Sequence, residues 1–126
     1  MIVLDAAVVI ALLDAGDTHH RAAHDLIRAH LDDDLGVNPI NLAEALVRPA
    51  ALGRAEEAIA TLDAIGVTTV PLPAAAAARL AAIRAETGSK MPDCCVLLTA
   101  EECGAAVATF DERLRASARR LNLTVV

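Results

Sequence analysis

The chain has 126 residues, 56% of them apolar, and a net charge of −6 from 11 basic and 17 acidic side chains. That length suits one domain spanning residues 1–126, and the acidic balance excludes a broad basic surface for gripping a phosphate backbone. Phe110 is the only aromatic residue, so the core must be aliphatic and there is no ladder of rings to stack unpaired bases.

Taken in chain order, short apolar runs alternate with helical patterns. Ile2 to Leu4 reads as a first strand and Ala6 to Leu13 as the helix that follows it. Asp17 and Thr18 can cap a second helix to about Leu31, in which Ala23, Leu26, Ile27 and His30 share a stripe. Leu35 to Asn38 is a short strand, and Pro39 opens a helix that Pro49 is expected to stop at Arg48. Ala51 to Ile65 reads as helix ending at Gly66, and β-branched Val67 to Val70 as strand. An alanine-rich helix over Pro73 to Thr87 precedes another over Pro92 to Cys103, each closed by a glycine. Ala105 to Thr109 is a strand, Asp111 to Leu121 a helix, and Leu123 to Val126 a final strand. Strands separated by helices imply crossovers and an α/β fold, about five mostly parallel strands with helices on both faces.

No apolar run is long enough to span a membrane. The opening residues lack a basic leader and reach an acid at Asp5, unlike a secretory signal. Cys94, Cys95 and Cys103 lack zinc-ribbon spacing and are expected to be reduced thiols, so a cytoplasmic location is expected.

Four acids carry the functional reading. In an open parallel sheet, chemistry collects beyond the carboxyl ends of the strands. Asp5 follows the first strand and Asp111 the strand near Thr109, so both should emerge on one edge, and Asp93 opens a helix that could face it. Glu44 lies inside a helix between Ile40 and Val47, and is expected on an apolar face where a glutamate is costly without a positive partner. Each has a structural alternative: Asp5 and Asp111 as helix caps, Asp93 as a first-turn acid on the helix dipole, Glu44 turned outward to water. Two carboxylates about 5 Å apart repel by roughly 3 kcal/mol at an effective dielectric near 20, so a gathered set takes up protons or a cation. An all-oxygen set without Cys or His suits Mg²⁺ or Mn²⁺, and such an ion can promote phosphodiester hydrolysis while supplying the missing positive charge.

These residues resemble the PIN-domain ribonucleases, and among them the VapC-type toxins of bacterial toxin–antitoxin modules. Val3-Leu4-Asp5 with the helix ending Leu12-Leu13-Asp14 is similar to the family's start, and His19 to Ala23 to its second helix. Asn41-Leu42-Ala43-Glu44-Ala45-Leu46 resembles the segment bearing its glutamate; Pro92-Asp93-Cys94-Cys95-Val96-Leu97-Leu98 and Ala108-Thr109-Phe110-Asp111 resemble its last two acidic motifs. The resemblance implies a five-stranded parallel sheet, divalent-metal-dependent cleavage of RNA, frequent homodimers and inhibition by a cognate antitoxin. It places the catalytic and metal-holding role on Asp5, Glu44, Asp93 and Asp111, with Thr109 in support. Ala6 and Ala7 stand where many relatives carry Ser, Thr or Asn, which takes away a supporting hydrogen bond at Asp5. Glu112 is a lesser candidate for a further acid.

Arg48, Arg113 and Arg115 could contact phosphate, although a surface Arg is more often simply solvated. His20 and His24 have zinc-pair spacing, but HExxH and a third ligand are missing, which favours an exposed helix face. Neither phosphate-loop nor dinucleotide glycine pattern is present. A receiver domain would need paired acids and a late lysine, and a haloacid-dehalogenase phosphatase a second Asp at position 7, where Ala stands. The remaining alternative is a catalytically inactive PIN-like module that binds a partner protein.

Overall fold

The computed structural model describes all residues, Met1 to Val126. Four short strands, β1 (Ile2–Leu4), β2 (Leu35–Val37), β3 (Val67–Thr69) and β4 (Ala106–Ala108), form one parallel sheet in the order β3-β2-β1-β4. The helices are α1 (Ala6–Leu13), α2 (His20–Ala29), α3 (Pro39–Ala51), α4 (Ala55–Ile65), α5 (Ala76–Thr87), α6 (Met91–Cys103) and α7 (Glu112–Arg120). Pairing of Ile2 with Leu35 and Ala106 puts β1 in the middle. The α/β class and the helices on both faces are as the sequence implies.

The period-two alternation of β1 divides the core. Ile2 and Leu4 face a cluster built with Val8, Val9 and Leu12 of α1, Ala23 and Ile27 of α2, and Leu62 of α4. Val3 faces the opposite cluster, with Ile83 of α5, Leu97 and Leu98 of α6, and Leu114 of α7. Both layers are aliphatic, as the scarcity of rings requires.

Three expectations are corrected. Leu123 to Val126 does not form a full strand: it makes a single parallel bridge, Val125 to Val107, with hydrogen bonds from Val107 N–H to Thr124 and from Val126 N–H to Val107. The tail follows α7 after a tight turn at Asn122, whose φ is +59°, and lies alongside β4 only briefly. Second, Pro49 does not stop α3, which runs to Ala51. Proline forfeits one backbone donor, and the last turn closes around it through Leu52 N–H to Arg48 O and Arg54 N–H to Pro49 O, so Ala51 ends α3 and α4 begins at Ala55. Third, His20 and His24 are half-buried rather than exposed, packed edge to face at 4.5 Å, with His20 Nδ1 2.7 Å from the Ala11 carbonyl oxygen. Cys94 and Cys95 are buried and Cys103 is exposed. No helix is long and apolar enough to cross a membrane.

Candidate metal centre

The carboxyl ends of β1, β2 and β4 are followed by Asp5, Asn38 and Thr109, all buried. Asp5 caps α1: its Oδ1 accepts from the Val8 N–H at 2.8 Å. The other oxygen, Oδ2, accepts from the Thr109 hydroxyl. That hydroxyl also accepts from the Asp111 N–H at 3.0 Å, so one side chain links the ends of β1 and β4. Asp111 caps α7, its Oδ1 accepting from Arg113 N–H at 2.7 Å and Leu114 N–H at 3.3 Å. No intramolecular hydrogen bond uses its Oδ2. The capping roles of both acids are real, and each cap engages only one oxygen of its carboxylate.

Asp93 lies in the first turn of α6, half-buried, and makes no side-chain hydrogen bond that would anchor it. Burial pushes its carboxyl above the usual range; Lys90 pulls it back, and the charges of Asp111, Asp5 and Glu44 raise it further. The Asp5 carboxyl is raised too, chiefly by burial and also by Asp111, while the bonds from Thr109 and Val8 oppose the shift. These acids, distant in sequence, therefore share one electrostatic neighbourhood at the sheet edge.

Glu44 is corrected in one respect. It is exposed, and so are Ile40 and Val47, so the face of α3 that carries all three is not the packed one. Asn41 and Ala45 form the buried face instead. Glu44 nevertheless acts on Asp93 through its charge, and it contributes to raising the buried Cys95 thiol, after burial itself and Cys94. It also lines a groove of about 490 Å³ between α1, α3 and α4, with Ile10, Leu13, Val47, Leu52 and Arg54 among its walls.

Thr109 supports two acids directly. Arg115 Nη2 donates to the Thr109 carbonyl oxygen at 2.9 Å. Its Nε lies 3.4 Å from Glu112 Oε1 without the alignment of a hydrogen bond, so that pair is an ion contact at the helix surface and Glu112 points to solvent. Arg113 is exposed beside Asp111, and the exposed Arg48 reaches Asp14 at 3.3 Å. A second depression, about 330 Å³, opens against Asp111 and is lined by Ala7, Thr18, His19 and Phe110. There Phe110 meets the His19 imidazole edge-on, with ring centroids 4.6 Å apart.

The donor chemistry fits a hard divalent cation: the set is carboxylates alone, Asp5 buried, Asp93 half-buried, and Glu44 and Asp111 exposed. No three His, Cys, Asp or Glu side chains already stand together as a ligand cluster. The acids are neighbours whose side chains would have to turn toward a shared ion.

Sequence reasoning missed Asn38 and Asn41. Asn38 caps α3 by accepting from the Ile40 and Asn41 N–H groups, both at 3.0 Å. An Asn-Pro pair at a strand-to-helix junction signals such a cap, but the bonds Asn41 makes to remote segments leave no local mark in the sequence.

None of the curated proteins of known function matches this sequence. Among solved structures, the chain is similar to a toxin–antitoxin complex from Klebsiella pneumoniae, with a TM-score of 0.80 and 21% identity over 100% of this chain and 96% of that one. It is also similar to the Sarcin-Ricin loop cleaving toxin VapC20 of Mycobacterium tuberculosis, with a TM-score of 0.76 and 18% identity over 93% and 95%. A third is FitAcB from Neisseria gonorrhoeae, with a TM-score of 0.73 and 21% identity over 99% and 96%. At these identities the likeness is one of fold. The model of the PIN domain matches residues 2–120, nearly the whole chain, and the protein therefore belongs to the PIN-domain family.

Proposed function

We propose that this chain is a divalent-metal-dependent endoribonuclease that acts as the toxin of a toxin–antitoxin pair. The observation that carries this reading is the meeting at one edge of the sheet of Asp5 and Asp111, joined through the Thr109 hydroxyl, with the half-buried Asp93, whose carboxyl burial and the charges of Asp111, Asp5 and Glu44 raise. Asp5, Glu44, Asp93 and Asp111 would hold Mg²⁺ or Mn²⁺. A bound ion there would lower the pKa of water and neutralise charge on a phosphodiester.

The chain's own residues prepare the site. Thr109 holds one Asp5 oxygen and the backbone of Asp111, fixing the ends of β1 and β4 relative to each other. Burial of Asp5 keeps bulk water from screening its charge. Arg113, exposed two residues past Asp111, and Arg48, exposed one turn past Glu44 and paired with Asp14, would contact RNA phosphates. Arg115 is committed to the Thr109 carbonyl and would assist mainly by bracing that turn, with any phosphate contact secondary.

A structured RNA substrate and a cognate antitoxin belong to the same reading, supported by the fold shared with a loop-cleaving toxin and with toxin–antitoxin assemblies. The groove beside Glu44 offers apolar and charged walls to a partner segment, and Ile40, Val47, Leu52 and Ile59 leave apolar surface for assembly, including a homodimer. A cytoplasmic site of action follows from the intracellular RNA target.

The test is incubation of purified protein with cellular RNA, followed by sequencing of the new RNA ends, for the wild type and for Asp93→Asn. Cleavage that requires Mg²⁺ or Mn²⁺, stops with EDTA and is lost in the variant is the expected result. Cleavage indifferent to EDTA, or undiminished in Asp93→Asn, would overturn the assignment.

A further inference from the structure

Asn41 is 1% exposed and has no chemistry to offer a substrate, yet its amide joins three separate segments. Its Oδ1 accepts from the Ala6 N–H at 3.1 Å, and its Nδ2 donates to the Pro92 carbonyl oxygen at 3.0 Å and to Asn38 Oδ1 at 3.2 Å. The partners on both sides fix which end of the amide is oxygen. Each remote contact ends one residue from an acid: Ala6 follows Asp5, and Pro92 precedes Asp93. Glu44 is three residues along the same helix, on the next turn of α3.

The Ala6 N–H is one of the donors that a helix start leaves without an intrahelical partner, and Asn41 supplies its acceptor across 35 positions of sequence. The Pro92 contact spans 51 positions. Asn38 in turn anchors Asn41, since its single Oδ1 takes the Ile40 N–H, the Asn41 N–H and the Asn41 side chain. Its own Nδ2 is buried without a partner, so the residue is held entirely by its oxygen. Few substitutes can do this work. Leucine of similar size satisfies neither end, and aspartate keeps the acceptor but loses both donors.

We infer that Asn41 is a positioning residue that sets the spacing of Asp5 and Asp93 around the Glu44-bearing turn, an inference that rests on the metal-dependent reading above. Thr109 ties Asp5 to the backbone of Asp111, and Asn41 ties the backbone beside Asp5 to the backbone beside Asp93; together they fix the spacing of the three chain segments that carry these acids. A site held this way loses function when its supporting bonds go, because small displacements of ligands weaken binding and chemistry steeply.

The test compares Asn41→Ala with Ile83→Ala at a temperature where both remain folded. Ile83 is fully buried on α5, which carries none of the four acids, and its truncation controls for lost stability. Mn²⁺ affinity measured by calorimetry, with kcat and KM for RNA cleavage, supplies the readouts. Asn41→Ala should weaken Mn²⁺ binding by about tenfold or more and lower kcat with little change in KM, while Ile83→Ala keeps all three near wild type. If the wild type binds Mn²⁺ and cleaves RNA but the two variants behave alike, the positioning role is refuted and the functional reading stands. If the wild type neither binds Mn²⁺ nor cleaves RNA, both fall.

Discussion

Replacing Thr109 by valine removes one hydroxyl from the centre of the site while leaving the side chain's shape nearly intact. The hydroxyl is buried, donates to Asp5 Oδ2, and accepts from the Asp111 N–H at 3.0 Å. A bond to an ionised group contributes about 1.5–3 kcal/mol and a neutral one about 0.5–1.5 kcal/mol. Asp111 is exposed enough for water to replace its lost acceptor, so the smaller figure applies there. Thr109→Val should therefore cost about 2–4 kcal/mol at neutral pH. The cost must depend on pH, because its larger part exists only while Asp5 is ionised. Losing the hydroxyl removes a bond that favours the ionised form, so it raises the Asp5 carboxyl still further above its ordinary value. The difference between variant and wild type should be small in acid, where both carry a protonated Asp5. It should grow as pH rises through the wild-type Asp5 pKa and level off above that of the variant. Urea denaturation at a series of pH values measures this, and the acid limb of the cleavage profile should move upward in parallel. A destabilisation of the same size at every pH would refute the coupling between Thr109 and Asp5.

Other expectations follow from the same geometry. Asp93 has a raised pKa, so the stability linked to its protonation is present below the ordinary carboxylate value and lost as pH rises through the folded value; ionised Asp93 thus weakens the metal-free fold near pH 7. Asp93→Asn should abolish cleavage yet raise the metal-free melting temperature by a few degrees, a gain that disappears in acid, and a variant that melts lower at pH 7 would contradict this. Away from the site, Arg79 binds Glu101 through two nitrogens, its Nε at 2.7 Å, joining α5 to α6 and holding the Glu101 carboxyl below its usual range. Both side chains are partly exposed, so Arg79→Met should cost at most about 1 kcal/mol. That cost should be present at neutral pH and vanish as pH falls through the lowered Glu101 pKa, with RNA cleavage unchanged.

Much of this was legible because strand and helix punctuation is local. Asp5 and Asp111 could be placed at the sheet edge from the short apolar runs before them, and Gly66, Gly88 and Gly104 end their helices with positive φ as their positions suggest. The face of α3 was not legible. Ile40, Glu44 and Val47 have helical spacing, but periodicity does not say which of two faces is covered. The small Asn41–Ala45 face is buried because α1 and α6 pack against α3. Leu123 to Val126 has strand composition, yet only Val125 finds a bridge. The link from Asn41 to Ala6 and Pro92 is purely tertiary and has no sequence period to reveal it.

The central claim is that Glu44, exposed on its helix, acts together with Asp5, Asp93 and Asp111 on one divalent ion. Calorimetric titration of Mn²⁺ into the wild type and Glu44→Gln addresses this directly, since the substitution touches no buried contact. Saturable binding in the wild type that weakens about tenfold or more in the variant, a change of at least about 1.4 kcal/mol, is the expected result. Equal affinity in the two proteins would contradict the account.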